Sequence, residues 1–141
     1  MSSPVRSSDR FRSLDEAECR ELLAARHAGR VAWNAPDGPQ VLPITYRMYA
    51  GRVVFRTSPY GVISQLVRRT KVAFEIDEID EVARVGWSVV VRGWAEAVKH
   101  DYDLETLWRT ETDVPWATGN RNLYIEIAPA NISGRAVRAP D

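Results

Sequence analysis

Arg56-Thr57-Ser58-Pro59 places a guanidinium and two hydroxyls side by side, a donor set suited to a phosphate ester. The stretch follows Arg52-Val53-Val54-Phe55, which reads as a β-strand, and leads into Pro59 to Arg68, which reads as a short helix. Ser58 fits the N-cap and Pro59 the first helical position, where a missing N–H costs nothing. The start of a helix has free N–H groups and partial positive charge, so it can hold an anion. The segment Arg56 to Gly61 is therefore a candidate phosphate pocket. An ordinary capped helix with Arg56 on the surface explains the same residues, and local sequence does not separate the two.

Pro43 is the second candidate. Proline cannot donate to a ladder, so it belongs at a sheet edge or at a gap in pairing. A gap frees nearby backbone groups for a ligand with polar edges, with Thr45 and Tyr46 alongside; an edge strand with nothing bound fits Pro43 as well. Gly86-Trp87-Ser88-Val89 superficially resembles a nucleophile elbow, but the second glycine is missing and the segment reads as strand. Trp87 is better read as packing against core or ligand. His27 and His100, with a single cysteine, give neither zinc spacing nor a triad. The acidic residues from Glu75 to Glu81 read as a solvated face, without the glycine pattern of a calcium loop. Pro115-Trp116-Ala117 with Arg121 can cover a pocket or plug a surface. No complete acid–base or nucleophile set is present, so any chemistry would belong to a cofactor.

These residues need a scaffold, and 141 residues suffice for one domain with a real core. Nineteen basic residues balance nineteen acidic ones, which gives no electrostatic reason to expect nucleic-acid or membrane binding. No apolar run is long enough to span a bilayer. Residues 1–12 are Ser- and Arg-rich without an apolar core and read as a flexible tail rather than a secretory signal. Cys19 is the only cysteine, so no internal disulfide forms, as expected in a reducing cytoplasm.

Ser13-Leu14-Asp15-Glu16 matches a capping box and opens a helix with Cys19, Leu22 and Leu23 on one face; Gly29 marks its end. Strands are expected over Arg30–Asn34 and over Gln40–Met48, where Leu42, Ile44, Tyr46 and Met48 alternate to one face. Further strands follow over Lys71–Asp77, Val85–Lys99 with a bulge at Gly93, Leu123–Ala128 and Ile132–Val137. An acidic loop spans Glu78–Glu81, a second short helix Asp103–Arg109, and a loop Thr110–Asn120. Six or seven mostly antiparallel strands with short helices predict a mainly β fold, a small barrel that hides its edges by closure.

In order along the chain, Gly29-Arg30-Val31-Ala32, Leu42-Pro43-Ile44-Thr45-Tyr46, Val54-Phe55-Arg56-Thr57-Ser58, Val72-Ala73-Phe74-Glu75-Ile76-Asp77 and Gly86-Trp87-Ser88-Val89-Val90-Val91-Arg92-Gly93 resemble the pyridoxamine 5′-phosphate oxidase-related flavoproteins. Pro115-Trp116-Ala117 and Gly119-Asn120-Arg121-Asn122-Leu123 resemble the actinobacterial branch. The resemblance covers roughly residues 13–137, which implies one split β-barrel domain there, with residues 138–141 as a C-terminal tail. It implies a cytoplasmic homodimer with FMN in clefts at the subunit interface, acting as an oxidoreductase on a small molecule and holding no metal. Pro43, Ile44, Thr45 and Tyr46 would lie along the isoalloxazine. Arg56, Thr57, Ser58 and Gly61 would meet the phosphate. Trp87 and Ser88 would close the cleft, and Trp116 and Arg121 would stand where a substrate enters. Many relatives place a lysine shortly after this glycine, whereas Val62, Ile63 and Ser64 follow Gly61 here. That leaves Arg56 as the main cation; one lost charge-assisted contact weakens binding by about 1.5–3 kcal/mol. Some relatives use the deazaflavin F420, whose acidic tail would need a basic groove such as Arg68, Arg69 and Lys71, or bind haem without catalysis.

Overall fold

Alternation of apolar and polar side chains decides most of this structure. The structure, a computed structural model, describes residues 11–58, 60–99 and 123–138. Its elements are β1 (Phe11–Leu14), α1 (Glu16–Ala25), β2 (Ala28–Ala35), β3 (Gly38–Thr45), β4 (Arg47–Tyr49), β5 (Arg52–Thr57), a 3-10 helix (Val62–Val67), β6 (Thr70–Asp80), β7 (Val85–Ala97) and β8 (Leu123–Val137). The strands form one antiparallel sheet in the order β3-β2-β6-β7-β8-β5-β4, with β1 pairing the far half of β8. The sheet curls until β3 approaches β5. The two do not pair, so the barrel is split rather than closed.

The inward residues are those the alternation picks out: Val31 and Trp33 on β2, Val53 and Phe55 on β5, and Val72, Phe74 and Ile76 on β6. Val89, Val91 and Ala95 on β7 and Ile125 and Ile127 on β8 continue the set. Helix α1 packs against β8, β4 and β7 and sends Cys19 and Leu23 into the same core. Among the described residues two buried charges, Arg47 and Glu126, interrupt the pattern. Glu126 is only 2% exposed, and Arg52 Nη1 donates to its Oε1 at 3.0 Å.

Several boundaries differ from the sequence expectation, each for a local reason. The capping box sits two residues later: the Asp15 carboxylate accepts from the Glu18 N–H at 2.8 Å, and Glu18 reaches back to the Asp15 N–H. Ser13 is therefore not the cap. It lies in β1, and Phe11 and Arg12, expected in the tail, pair with Val137 and Ala136. Gly29 does not end the helix, which stops at Ala25; it is needed within β2, where a Cβ would fall 2.6 Å from the Phe74 ring. The strand expected over Gln40–Met48 divides at Tyr46, and β6 runs on through Glu78 to Asp80, leaving only residues 81–84 as a turn.

The two strands expected near the C-terminus are one strand of 15 residues, while β1 and β4 are additional, so eight strands are described rather than six or seven. Pro129 lies at the point where the register with β7 shifts, opposite Gly93, and there the chain bends without ending the strand. The bulge expected at Gly93 is present. A Cβ at Gly93 would lie 2.0 Å from the Ala128 carbonyl oxygen, so only glycine fits. The helix at Asp103–Arg109 and the loop at Thr110–Asn120 fall outside the described residues.

Gly93→Ala is expected to lower the unfolding free energy by about 2 kcal/mol or more, since the clash is with backbone and cannot relax by a rotamer change. Urea denaturation followed by far-UV circular dichroism measures it.

Candidate functional site

The split has a specific geometry. Residues 38–45 pair with β2, and residues 47–49 pair with β5. The chain changes partner at Tyr46. Pairing of β5 with β4 stops at Val54, so among the described strands Phe55, Arg56 and Thr57 have a neighbour on the β8 side alone. Among the described residues strand β3 is an edge, paired only with β2. Backbone groups in an antiparallel strand point alternately to one neighbour and the other. Pro39, Val41 and Pro43 share one parity, and prolines belong on the side without a ladder, so these positions face the opening. The result is a fork whose two arms, among the described residues, carry no strand on the side facing the opening, with Pro43 to Thr45 on one and Arg56 to Ser58 at the tip of the other.

Tyr46 holds the crotch of the fork. Its N–H donates to the His27 carbonyl at 2.8 Å and its hydroxyl to the Leu23 carbonyl at 2.7 Å. Its ring meets Phe74 edge-on, 4.8 Å between centroids. The side chain is fully buried, and burial pushes its phenol pKa up. Tyr46 therefore faces the core, where its ring cannot line a ligand. Ile44 also turns inward, packing on the core. Pro43 and Arg30, paired across β3 and β2, are exposed and lie on the outer face.

Arg56, Thr57 and Ser58 are each half-buried, and Arg56 is paired with Tyr124 across β5 and β8. The helix expected after them is a 3-10 helix of six residues, whose N-cap is Gly61 without a side-chain cap. Ser58 is thus not the N-cap; its Oγ accepts from the Tyr60 N–H at 3.2 Å in a local turn. Pro59 lies outside the described residues. So short a 3-10 segment offers little macrodipole, and any phosphate contact rests on the side chains of Arg56, Thr57 and Ser58.

Trp87 and Ser88 are neighbours on β7 and so face opposite ways. Trp87 packs toward the core with the Arg26 guanidinium 5.0 Å above its ring, and Arg26 is itself paired with Glu78. Ser88 stands on the outer face, in register with Asp77 and Arg135. Trp116 and Arg121 lie outside the described residues. Among the described residues no group of three or more His, Cys, Asp or Glu is placed to hold a metal, and no helix is long and apolar enough to cross a membrane.

A charged cluster beside Pro43 escaped the sequence reading. Arg30 Nη1 donates to Glu75 Oε1 at 2.7 Å and to Asp77 Oδ2 at 2.9 Å. Burial, with the Asp77 carboxylate alongside, pushes Glu75 up to about 7 despite the arginine. Opposite charges at outward positions of two strands were the available signal, but only the pairing of Arg30 with Glu75 gives it meaning.

Comparison with known proteins places this geometry. The family model described as pyridoxamine 5′-phosphate oxidase matches residues 15–136. The chain belongs to this family. Within the pyridoxamine 5′-phosphate oxidase family, it is 33% identical over 127 residues to the uncharacterized protein Rv0080 of Mycobacterium tuberculosis, covering 86% of this chain and 82% of that one. Among solved structures it is similar to the FAD binding protein from Mycobacterium smegmatis, with TM-score 0.73, 29% identity and coverage of 90% and 98% of the two chains. It is likewise similar to a putative pyridoxamine 5′-phosphate oxidase from Corynebacterium glutamicum, with TM-score 0.74, 28% identity and coverage of 94% and 97%. The split-barrel fold of the family is the fold described above.

Two outcomes test this local picture. Tyr46→Phe removes the hydroxyl tie to the Leu23 carbonyl, so stability should fall by about 1–3 kcal/mol in urea denaturation. The Glu75 carboxyl holds its proton to higher pH in the folded chain than in the unfolded one, so stability should decline as pH rises from 4.5 towards about 7. Thermal melts at pH 5 and pH 7.5 should show that decline, and Glu75→Gln should flatten it.

Proposed function

We propose that the fork holds a flavin nucleotide and that the protein is a flavin-dependent oxidoreductase acting on a small molecule. One observation carries the reading: two strand edges that no described strand covers converge beside Arg56, Thr57 and Ser58 in a chain of the pyridoxamine 5′-phosphate oxidase family. The residues fit the group. A flavin ring has polar atoms along its rim, and the open backbone of β3 near Pro43 and Thr45 offers matching donors and acceptors. Its phosphate ester is an anion, and Arg56 with the hydroxyls of Thr57 and Ser58 can receive it. The FMN portion is common to FMN and FAD, and the FAD-binding relative at 29% identity supports a flavin over F420 or haem.

A bound flavin would supply the hydride or electron transfer. The chain's own part is to orient and to shield. Tyr46 fixes the angle between β3 and the start of β4, and so the width of the fork. The Arg56 side chain balances phosphate charge, and the barrel wall keeps bulk water from one side of the ring. We also propose a cytoplasmic homodimer in which Ser88, on the outward face, is presented to the cleft of a second protomer. Trp116 and Arg121 remain candidates for the substrate entrance.

The purified protein should be yellow or become so with added FMN. Flavin fluorescence titration of Arg56→Ala should show affinity reduced by at least about tenfold, while Glu81→Ala at the distant β6–β7 turn should stay within about twofold. A colourless protein that binds neither FMN nor FAD, or equal effects from both substitutions, would overturn the assignment. Sedimentation velocity showing a single protomer at micromolar concentration would overturn the dimer.

A further inference from the structure

The outer face of the sheet carries a second feature, at the end of β3 away from the fork. A groove of about 450 Å³ opens there. The strand registers set out its floor. Val41 pairs with Ala32, Ala32 with Ala73 and Ala73 with Arg92, so four side chains cross the sheet in one row. The two alanines in the middle leave a flat apolar depression between Val41 and Arg92. Three strand spacings separate those walls, roughly 14 Å, enough for a fused pair of aromatic rings lying flat. The next row of the same face holds Lys71 opposite Trp94.

The charge around this groove is one-sided. The Arg69 guanidinium lies 3.8 Å from the Trp94 ring centroid and the Lys71 ammonium 5.4 Å from it. Arg92 makes one long contact, 3.4 Å, to the Ser133 hydroxyl. Among the described residues none of these three cations is paired with a carboxylate. The nearest carboxylate along the same face of β6, Glu75, is engaged by Arg30 at 2.7 Å. An apolar, planar floor bordered by uncompensated positive charge complements a planar apolar body with an anionic edge.

We propose that this groove is a ligand site, separate from the fork, for a small aromatic carboxylate. The ring system lies on Ala32 and Ala73 against Val41, and the carboxylate meets Arg92 and Lys71. Trp94 closes the cationic end. This site goes beyond the flavin reading and does not depend on it.

Isothermal titration of the full chain with 1-naphthoate and with its neutral analogue 1-naphthamide tests the proposal. Naphthoate should bind at least about tenfold more tightly than the amide, and less tightly as salt is raised. Arg92→Gln and Lys71→Gln should each weaken naphthoate by about tenfold and leave the amide unchanged. Arg135→Gln, a cation outside the groove floor, should change neither. Ala73→Leu, which fills the floor, should abolish both; its fold is checked by circular dichroism, and the glutamine variants stand independently of it. Saturating FMN, or the Arg56→Ala substitution, should leave naphthoate binding intact. Equal affinity for acid and amide, no effect of either groove cation, an equal effect of Arg135→Gln, or displacement of naphthoate by FMN would overturn the proposal.

Discussion

Tyr46 sits where one strand leaves β2 and the next joins β5, and its ties to His27, Leu23 and Phe74 fix the angle between them. A backbone that changes partners must leave two edges without ladders near the change. Water or a ligand must then satisfy those groups, because an unpaired buried amide costs about as much as a lost hydrogen bond. The aromatic ring at the crotch keeps the edges apart by filling the space behind them. The half-buried donors of Arg56, Thr57 and Ser58 gain their position from the same split, since they occupy the part of β5 that β4 no longer covers.

The remaining architecture serves to hold a curled sheet open at one seam. The hairpin of β6 and β7 supplies a continuous ladder from Thr70 to Asp80, and β8 extends it as a single strand of 15 residues. Such long strands accumulate twist. The shift at Gly93 and Pro129 falls where β8 passes from pairing β5 to pairing β1, both across it from β7. The Arg52–Glu126 pair lies at that same half of the sheet, where the half-buried arginine offsets the charge of a buried carboxylate.

Much of the fold was legible because apolar alternation is a local signal. Val53 with Phe55, and Phe74 with Ile76, announce an inward face without knowledge of any neighbour. Gly93 was legible for a similar reason, as a glycine within a strong strand pattern. Gly29 misled because a glycine after a helical pattern ordinarily ends it, whereas here the Phe74 ring, 45 residues on, occupies the space of its side chain. Ser13 misled because Asp15 and Glu18 repeat the capping pattern two residues later, and pairing with β8 claims the earlier residues. The site divides likewise. Pro43 pointed to an edge, and the edge is there. That Tyr46 turns inward with Leu42 and Ile44 while Pro43 turns outward follows the alternation, but the change of partner at Tyr46 is a property of two partner strands and not of the segment itself. The pairing of Arg30 with Glu75 and Asp77 was hidden for the same reason.

The edge of β3 has a consequence for how the protein behaves at high concentration. A bare strand margin ordinarily invites a neighbouring chain to dock alongside it and begin a growing fibril. Pro39 and Pro43 deny an incoming strand two of the donors it would need, and their rings stand in its path. The margin is thus poorly suited to a polypeptide, which requires an unbroken run of bonds, yet it can still serve a compact molecule that needs only a few.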